Sequence, residues 1–175
     1  GVYAKPDQDH QSITGSGGFT LVAGSKRGRS HAQKGTYRDD DFFILSRKDG
    51  WQIAVVSDGA GSAKYSRRGS QIICKDGGKL LDLSLEKGIA KALDDAASTY
   101  INELKDNAIS ETNRDKLTSA LLYSLGSAAL DSMKIIMKET EDRADLGAVT
   151  KDFSSTVLMS LVKRFPSGVF CATFS

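Results

Sequence analysis

Two short apolar runs, Phe42-Phe43-Ile44-Leu45 and Ile53-Ala54-Val55-Val56, stand on either side of Lys48-Asp49-Gly50. Each is too short for a core helix, and the Asp-Gly pair between them suits the positive φ of a tight β turn. The stretch from Asp41 to Ser57 is therefore expected to fold as a hairpin, with its second strand buried on both faces. A lone antiparallel pair is marginal in water, so the rest of the chain has to supply strands or helices to cover it. The hairpin also carries acids at its open end: Asp39-Asp40-Asp41 before the first strand and Asp58 after the second. With a three-residue loop Arg47 pairs with Trp51 and Asp40 faces Asp58; with a two-residue loop Asp39 faces it. Directly opposed residues have Cβ atoms about 4.5 to 5.5 Å apart, too close for two carboxylates to stay ionised without a cation between them.

Elsewhere the pattern is strand, then helix, then strand. Phe19 to Ala23 is a short apolar run. Ser66 to Lys75 is expected to be a helix that turns Ile72 and Ile73 inward and ends at Gly77-Gly78. From Glu86 to Lys105 a stripe of Ile89, Leu93, Ala97 and Ile101 repeats at helical spacing, and a second long helix is expected from Thr112, a possible cap, to Glu141. A last hairpin pairs Ser155 to Val162 with Val169 to Phe174 across Phe165-Pro166-Ser167-Gly168. The fold class is α+β: an α-β-β-α sandwich whose two sheets are largely antiparallel, because the strands come as adjacent hairpins and not singly between helices. A length of 175 residues suits one domain. Residues 1–18, polar and rich in Gly and Ser, are expected to be a flexible leader. The domain proper is expected over 19–175, C-terminally incomplete because its final strand runs into the last residue.

Composition narrows the function classes. With 24 basic and 22 acidic residues the net charge is +2, which argues against a nucleic-acid binder that relies on a strongly basic surface. No apolar run reaches the roughly 18 residues of a membrane span, so no membrane partner is expected. Cys74 and Cys171 lack the spacing of a zinc site or a disulfide framework, and a reducing, cytoplasmic setting follows as the expectation.

Carboxylates without Cys or His nearby are hard ligands suited to Mg²⁺ or Mn²⁺. The candidate set is Asp39, Asp40, Asp58 and the carbonyl of Gly59, within the small-residue stretch Asp58-Gly59-Ala60-Gly61-Ser62. Ordinary turn chemistry also accounts for an acid before a strand and an Asp-Gly after one. Gly59 to Lys64 lacks the order of a nucleotide P-loop, and no Ser-His-Asp set supports a nucleophilic serine.

The run from Gly28-Arg29-Ser30-His31 through Asp39-Asp40-Asp41-Phe42 to Ile53-Ala54-Val55-Val56-Ser57-Asp58-Gly59-Ala60-Gly61-Ser62 resembles the N-terminal part of the metal-dependent type 2C protein serine/threonine phosphatases, most closely their bacterial branch. Ser154-Ser155-Thr156-Val157-Leu158 is similar to the family's Thr-Leu strand opening. The resemblance implies two sheets with two Mn²⁺ or Mg²⁺ ions between them. It makes Asp58 the bridging ligand, Gly59 a carbonyl ligand, and Asp39 and Asp40 the paired acids, of which one binds metal and the other holds water. Asp58 and Asp40 would be the catalytic pair, and the reaction would be hydrolysis of phosphoserine or phosphothreonine by a metal-bridging water. The implied partner is a phosphoprotein, a serine/threonine kinase or its target. Ala60 stands where several members carry a histidine, and the substrate-phosphate arginine has no clean counterpart, Arg38 and Lys34 being the nearest cations. The family continues into a Gly-Asp-Gly turn and a further aspartate, so this chain is expected to hold metal weakly. A non-catalytic phosphatase-like module that binds a kinase or a phosphorylated partner is the alternative.

Overall fold

The computed structural model describes residues 3–175, the side chain of Lys87 excepted. The expected hairpin is present as β3 (Asp41–Ser46) and β4 (Gln52–Ser57). Arg47 N–H donates to the Trp51 carbonyl at 2.9 Å and Gly50 sits at φ +92°, so Lys48-Asp49-Gly50 is a three-residue loop. This register, with Asp41 opposite Ser57, carries Asp40 toward Asp58. The late hairpin is β5 (Leu158–Phe165) and β6 (Gly168–Phe174), and the four strands form one antiparallel sheet in the order β3-β4-β5-β6.

The flexible leader is a correction. Gln8–Thr14 is a strand, β1, paired antiparallel with β2 (Thr20–Lys26) as a second, two-stranded sheet that packs across β3. Its residues read as polar because most of that strand faces solvent, and its stability comes from the ladder and from side chains anchored beyond it.

Helices cover the other face of the four-stranded sheet. A short α1 (Arg29–Gln33) leads to the acids, and α2 (Ser66–Gln71), α3 (Gly77–Ser84) and α4 (Ala90–Lys105) follow one another through π turns. The expected stop at Gly77-Gly78 does not occur. A Cβ on Gly77 would lie 2.6 Å from Ser132 Oγ and 2.8 Å from Met159, and one on Gly78 would enter the Phe43 ring, so these glycines serve close packing. The backbone instead turns at Gly88, φ +88°. The last long helix runs from α5 (Glu111–Leu121) through a π turn into α6 (Ser127–Glu141), with Ser110 and not Thr112 at its N-cap. By length and a mean hydropathy of 1.2 this helix does reach what a bilayer span needs. One face of it is buried, at Leu117, Leu125, Ala128 and Ile136, while Leu122, Leu130, Met133 and Met137 are exposed.

Trp51, Ile53, Val55, Met159 and Leu161 close the core beneath the helices. The outer face of β4 is covered only in part, against expectation: Gln52 is buried, with its side chain bonded to the Ser16 carbonyl, and Ala54 half-buried, but Val56 is 49 % exposed.

Candidate active site

The alternation of extended backbone turns Asp39 and Asp41 to the covered side and Asp40 to the open one. Asp41 points inward and is buried, 3.1 Å from Lys5 Nζ and 3.6 Å from Lys75 Nζ. Asp39 is also buried, its carboxylate accepting from Arg67 Nε at 3.2 Å and lying 3.7 Å from His31 Nδ1. Asp40 is exposed and faces Asp58 across the open end of the hairpin. The pair opens into a cavity of about 500 Å³ between β2 and the start of the larger sheet, lined also by Ser25, Lys26, Phe42 and Val56.

Partial burial first, and then the closeness and charge of Asp58, push the Asp40 carboxyl up to about 6, with Asp39 adding and Lys5 opposing. Because this value lies above the ordinary carboxylate range, the stability it contributes is present in acid and lost as pH rises through about 6. The melting temperature of the metal-free protein is therefore expected to carry a downward component between about pH 4 and about pH 6, smaller in Asp58→Asn, where burial and Asp39 remain but the Asp58 charge is gone; parallel profiles for the two proteins would contradict the contribution of Asp58.

The Asp58 backbone is held from β5's approach. Asp58 N–H donates to Thr156 Oγ1 at 2.8 Å, Thr156 N–H donates to the Asp58 carbonyl at 2.8 Å, and Ala60 N–H donates to the Ser154 carbonyl at 2.9 Å. These bonds frame a bridge between Gly59 and Ser155 in which the Gly59 carbonyl itself takes no part. A Cβ on Gly59 would lie 2.9 Å from the Asp39 carbonyl oxygen, so glycine lets the two acid-bearing segments touch.

Of the expected phosphate ligands, neither is placed for the role. Arg38 is 3 % exposed and its guanidinium donates to the Pro6 carbonyl, the Asp40 carbonyl and Asp9 Oδ2 at 3.0, 3.0 and 3.2 Å. Lys34 is exposed at the end of α1 and does not line the cavity. The cation that lines it is Lys26, which has no acidic partner among the described residues. Lys26, Lys5 and Arg67 stand in no motif that singles them out in the sequence.

A family model described as protein phosphatase 2C matches residues 27–173. The chain belongs to the protein phosphatase 2C family. No curated protein and no solved structure matches it. The match spans both acid segments, the helices and the final hairpin, so the Asp40–Asp58 pair belongs to the phosphatase 2C part of the chain.

Members of this family are generally metal-dependent. Among the described residues no group of three or more Asp, Glu, His or Cys side chains is placed to hold a metal. Asp40 and Asp58 face each other at the mouth of an open cavity, and a divalent cation between them would relieve the repulsion of the two carboxylates. The residues present fit a cation between the two side chains, while the Asp39 carboxylate is engaged by Arg67.

Proposed function

We propose that this phosphatase 2C chain is a Mn²⁺- or Mg²⁺-dependent hydrolase of phosphoserine and phosphothreonine in proteins. The observation that carries the reading is the Asp40–Asp58 pair, with its raised carboxyl, facing the cavity that Lys26 also lines. Asp40, Asp58 and the Gly59 carbonyl would hold the cation. When bound, it would supply Lewis-acid polarisation of the phosphoryl oxygens and a water acidic enough to attack near neutral pH.

This chain's own residues do the rest. Thr156 fixes the Asp58 backbone, and the three-residue loop at Lys48-Asp49-Gly50 sets the register that brings Asp40 opposite. Lys26 offers a single positive charge to a phosphoryl group entering between β2 and the acids, a role Arg38 is too buried to take. Ala60 donates its N–H to Ser154 and presents no side chain that could protonate a leaving group, so that proton would come from solvent or from another side chain.

The test is hydrolysis of a phosphothreonine peptide with Mn²⁺, with and without chelator, by the wild type and Lys26→Ala. Metal-dependent release of phosphate is expected. Lys26→Ala is expected to raise KM about tenfold with kcat little changed, the loss of one charge-assisted contact. Turnover unaffected by chelator would overturn the reading.

That only two carboxylates converge among the described residues favours one other reading, the non-catalytic module recognising a kinase or a phosphorylated partner. Tight binding of the phosphopeptide with Mn²⁺ present and no phosphate released would select it.

A further inference from the structure

Lys5 lies outside the matched residues, in a segment whose sequence has no motif, yet it is one of the most buried charged groups in the protein, 7 % exposed. Its ammonium contacts the acid segment from below: the Asp40 carbonyl at 3.2 Å, the Asp39 carbonyl at 3.5 Å, Ser70 Oγ at 3.0 Å and Asp41 Oδ2 at 3.1 Å. An ammonium has three N–H donors, and burying it is costly unless they are all used.

The carbonyls it binds are those on either side of the Asp40 side chain. Arg38 Nη1 donates to the Asp40 carbonyl and Ser70 Oγ to the Asp39 carbonyl, so both peptide planes that aim Asp40 are held. Lys5 is in turn carried on an anchored strap. Tyr3 Oη donates to Glu139 at 2.5 Å with Arg143 over its ring at 4.8 Å, and the Pro6 carbonyl accepts from Arg38.

We propose that Lys5 is a positioning residue: from the N-terminal strap it holds the Asp39 and Asp40 peptides so that the Asp40 carboxylate faces Asp58, and thereby sets how tightly the pair binds a divalent cation. The consequence for the cation rests on the function proposed above; the positioning itself does not.

Three variants and two measurements test it. Lys5→Met removes the charge and keeps the stem. Lys5→Met/Asp41→Asn removes both members of the buried ion pair, so that no lone carboxylate is left in the core and the fold survives where the single variant does not. Tyr3→Phe loosens the far end of the strap without touching the acids. Hydrogen exchange without metal is expected to show faster exchange at residues 38–42 than in the rest of the sheet for both Lys5 variants, and no change there for Tyr3→Phe. Calorimetric titration with Mn²⁺ is expected to show affinity lowered about tenfold or more for the Lys5 variants, the usual cost of losing a group that orients a ligand, and within about twofold of wild type for Tyr3→Phe. Uniform exchange across the sheet, or wild-type Mn²⁺ affinity in a folded Lys5 variant, would overturn the proposal. If the wild type binds no Mn²⁺, the proposed function fails while the exchange data still decide the role of Lys5.

Discussion

Replacing Asp58 by Asn is expected to abolish Mn²⁺-dependent phosphate release, by about a thousandfold or more, and at the same time to raise the melting temperature of the metal-free protein at neutral pH. The activity loss follows from the several kcal/mol that a bound cation contributes to stabilising charge in the transition state, at 1.4 kcal/mol per decade of rate. The stability gain follows from the geometry. Asp58 is exposed and its side chain meets only the like-charged Asp40, so an amide removes repulsion and leaves the backbone bonds to Thr156 in place. Opposite signs for activity and stability are the mark of a residue retained for function. Asp39→Asn should behave otherwise, because that carboxylate balances Arg67 in a buried site, and its loss lowers stability. If Asp58→Asn keeps wild-type turnover, the pair is not the catalytic centre.

Gly69→Ala is expected to produce the largest loss of stability from the smallest change of side chain. A Cβ at this position in α2 would fall on the backbone carbonyl oxygen of Phe153 and lie 3.1 Å from Ser155 Oγ. A backbone oxygen cannot rotate aside, so the helix and the 150–153 turn must separate, at a cost of about 3 kcal/mol or more. The damage reaches the site, because the turn leads directly into Ser154, Ser155 and Thr156, which hold Asp58 and Ala60. Gly61→Ala is the matched control: no atom lies within 4 Å of its would-be Cβ, and a change within about 0.5 kcal/mol is expected. Chemical denaturation of the two variants, read alongside turnover, checks both halves. Equal stabilities for Gly69→Ala and Gly61→Ala would mean that helix α2 and the turn are not in contact.

What was legible in the sequence was what depends on neighbours in the chain. The Asp49-Gly50 turn and the apolar runs around it locate the central hairpin, and turn length alone decides between Asp39 and Asp40 as the partner of Asp58. The three-residue loop selects Asp40. Local reasoning failed where a residue answers to something distant. Gly77 and Gly78 read as a helix stop, but they are thin because Met159 and Phe43 pass over them. Asp39 read as a ligand, but Arg67, on the next helix, draws its carboxylate away. Arg38 read as a free cation beside the acids, but the strap that uses it lies among residues read as a flexible leader. Lys5 was invisible for the same reason: a single lysine in polar sequence has no period or spacing, and its role appears only when the chain returns to place the acids above it.

The central claim, that Asp40 and Asp58 together hold a divalent cation which displaces the proton of Asp40, is tested most directly by titrating the wild type with Mn²⁺ at about pH 6 in two buffers of different ionisation enthalpy. With the Asp40 carboxyl near 6, about half a proton should be released per Mn²⁺ bound, falling toward none at about pH 8. Asp58→Asn should show neither the binding nor the release. Mn²⁺ binding of equal strength in Asp58→Asn, or binding at about pH 6 with no proton released, would contradict it.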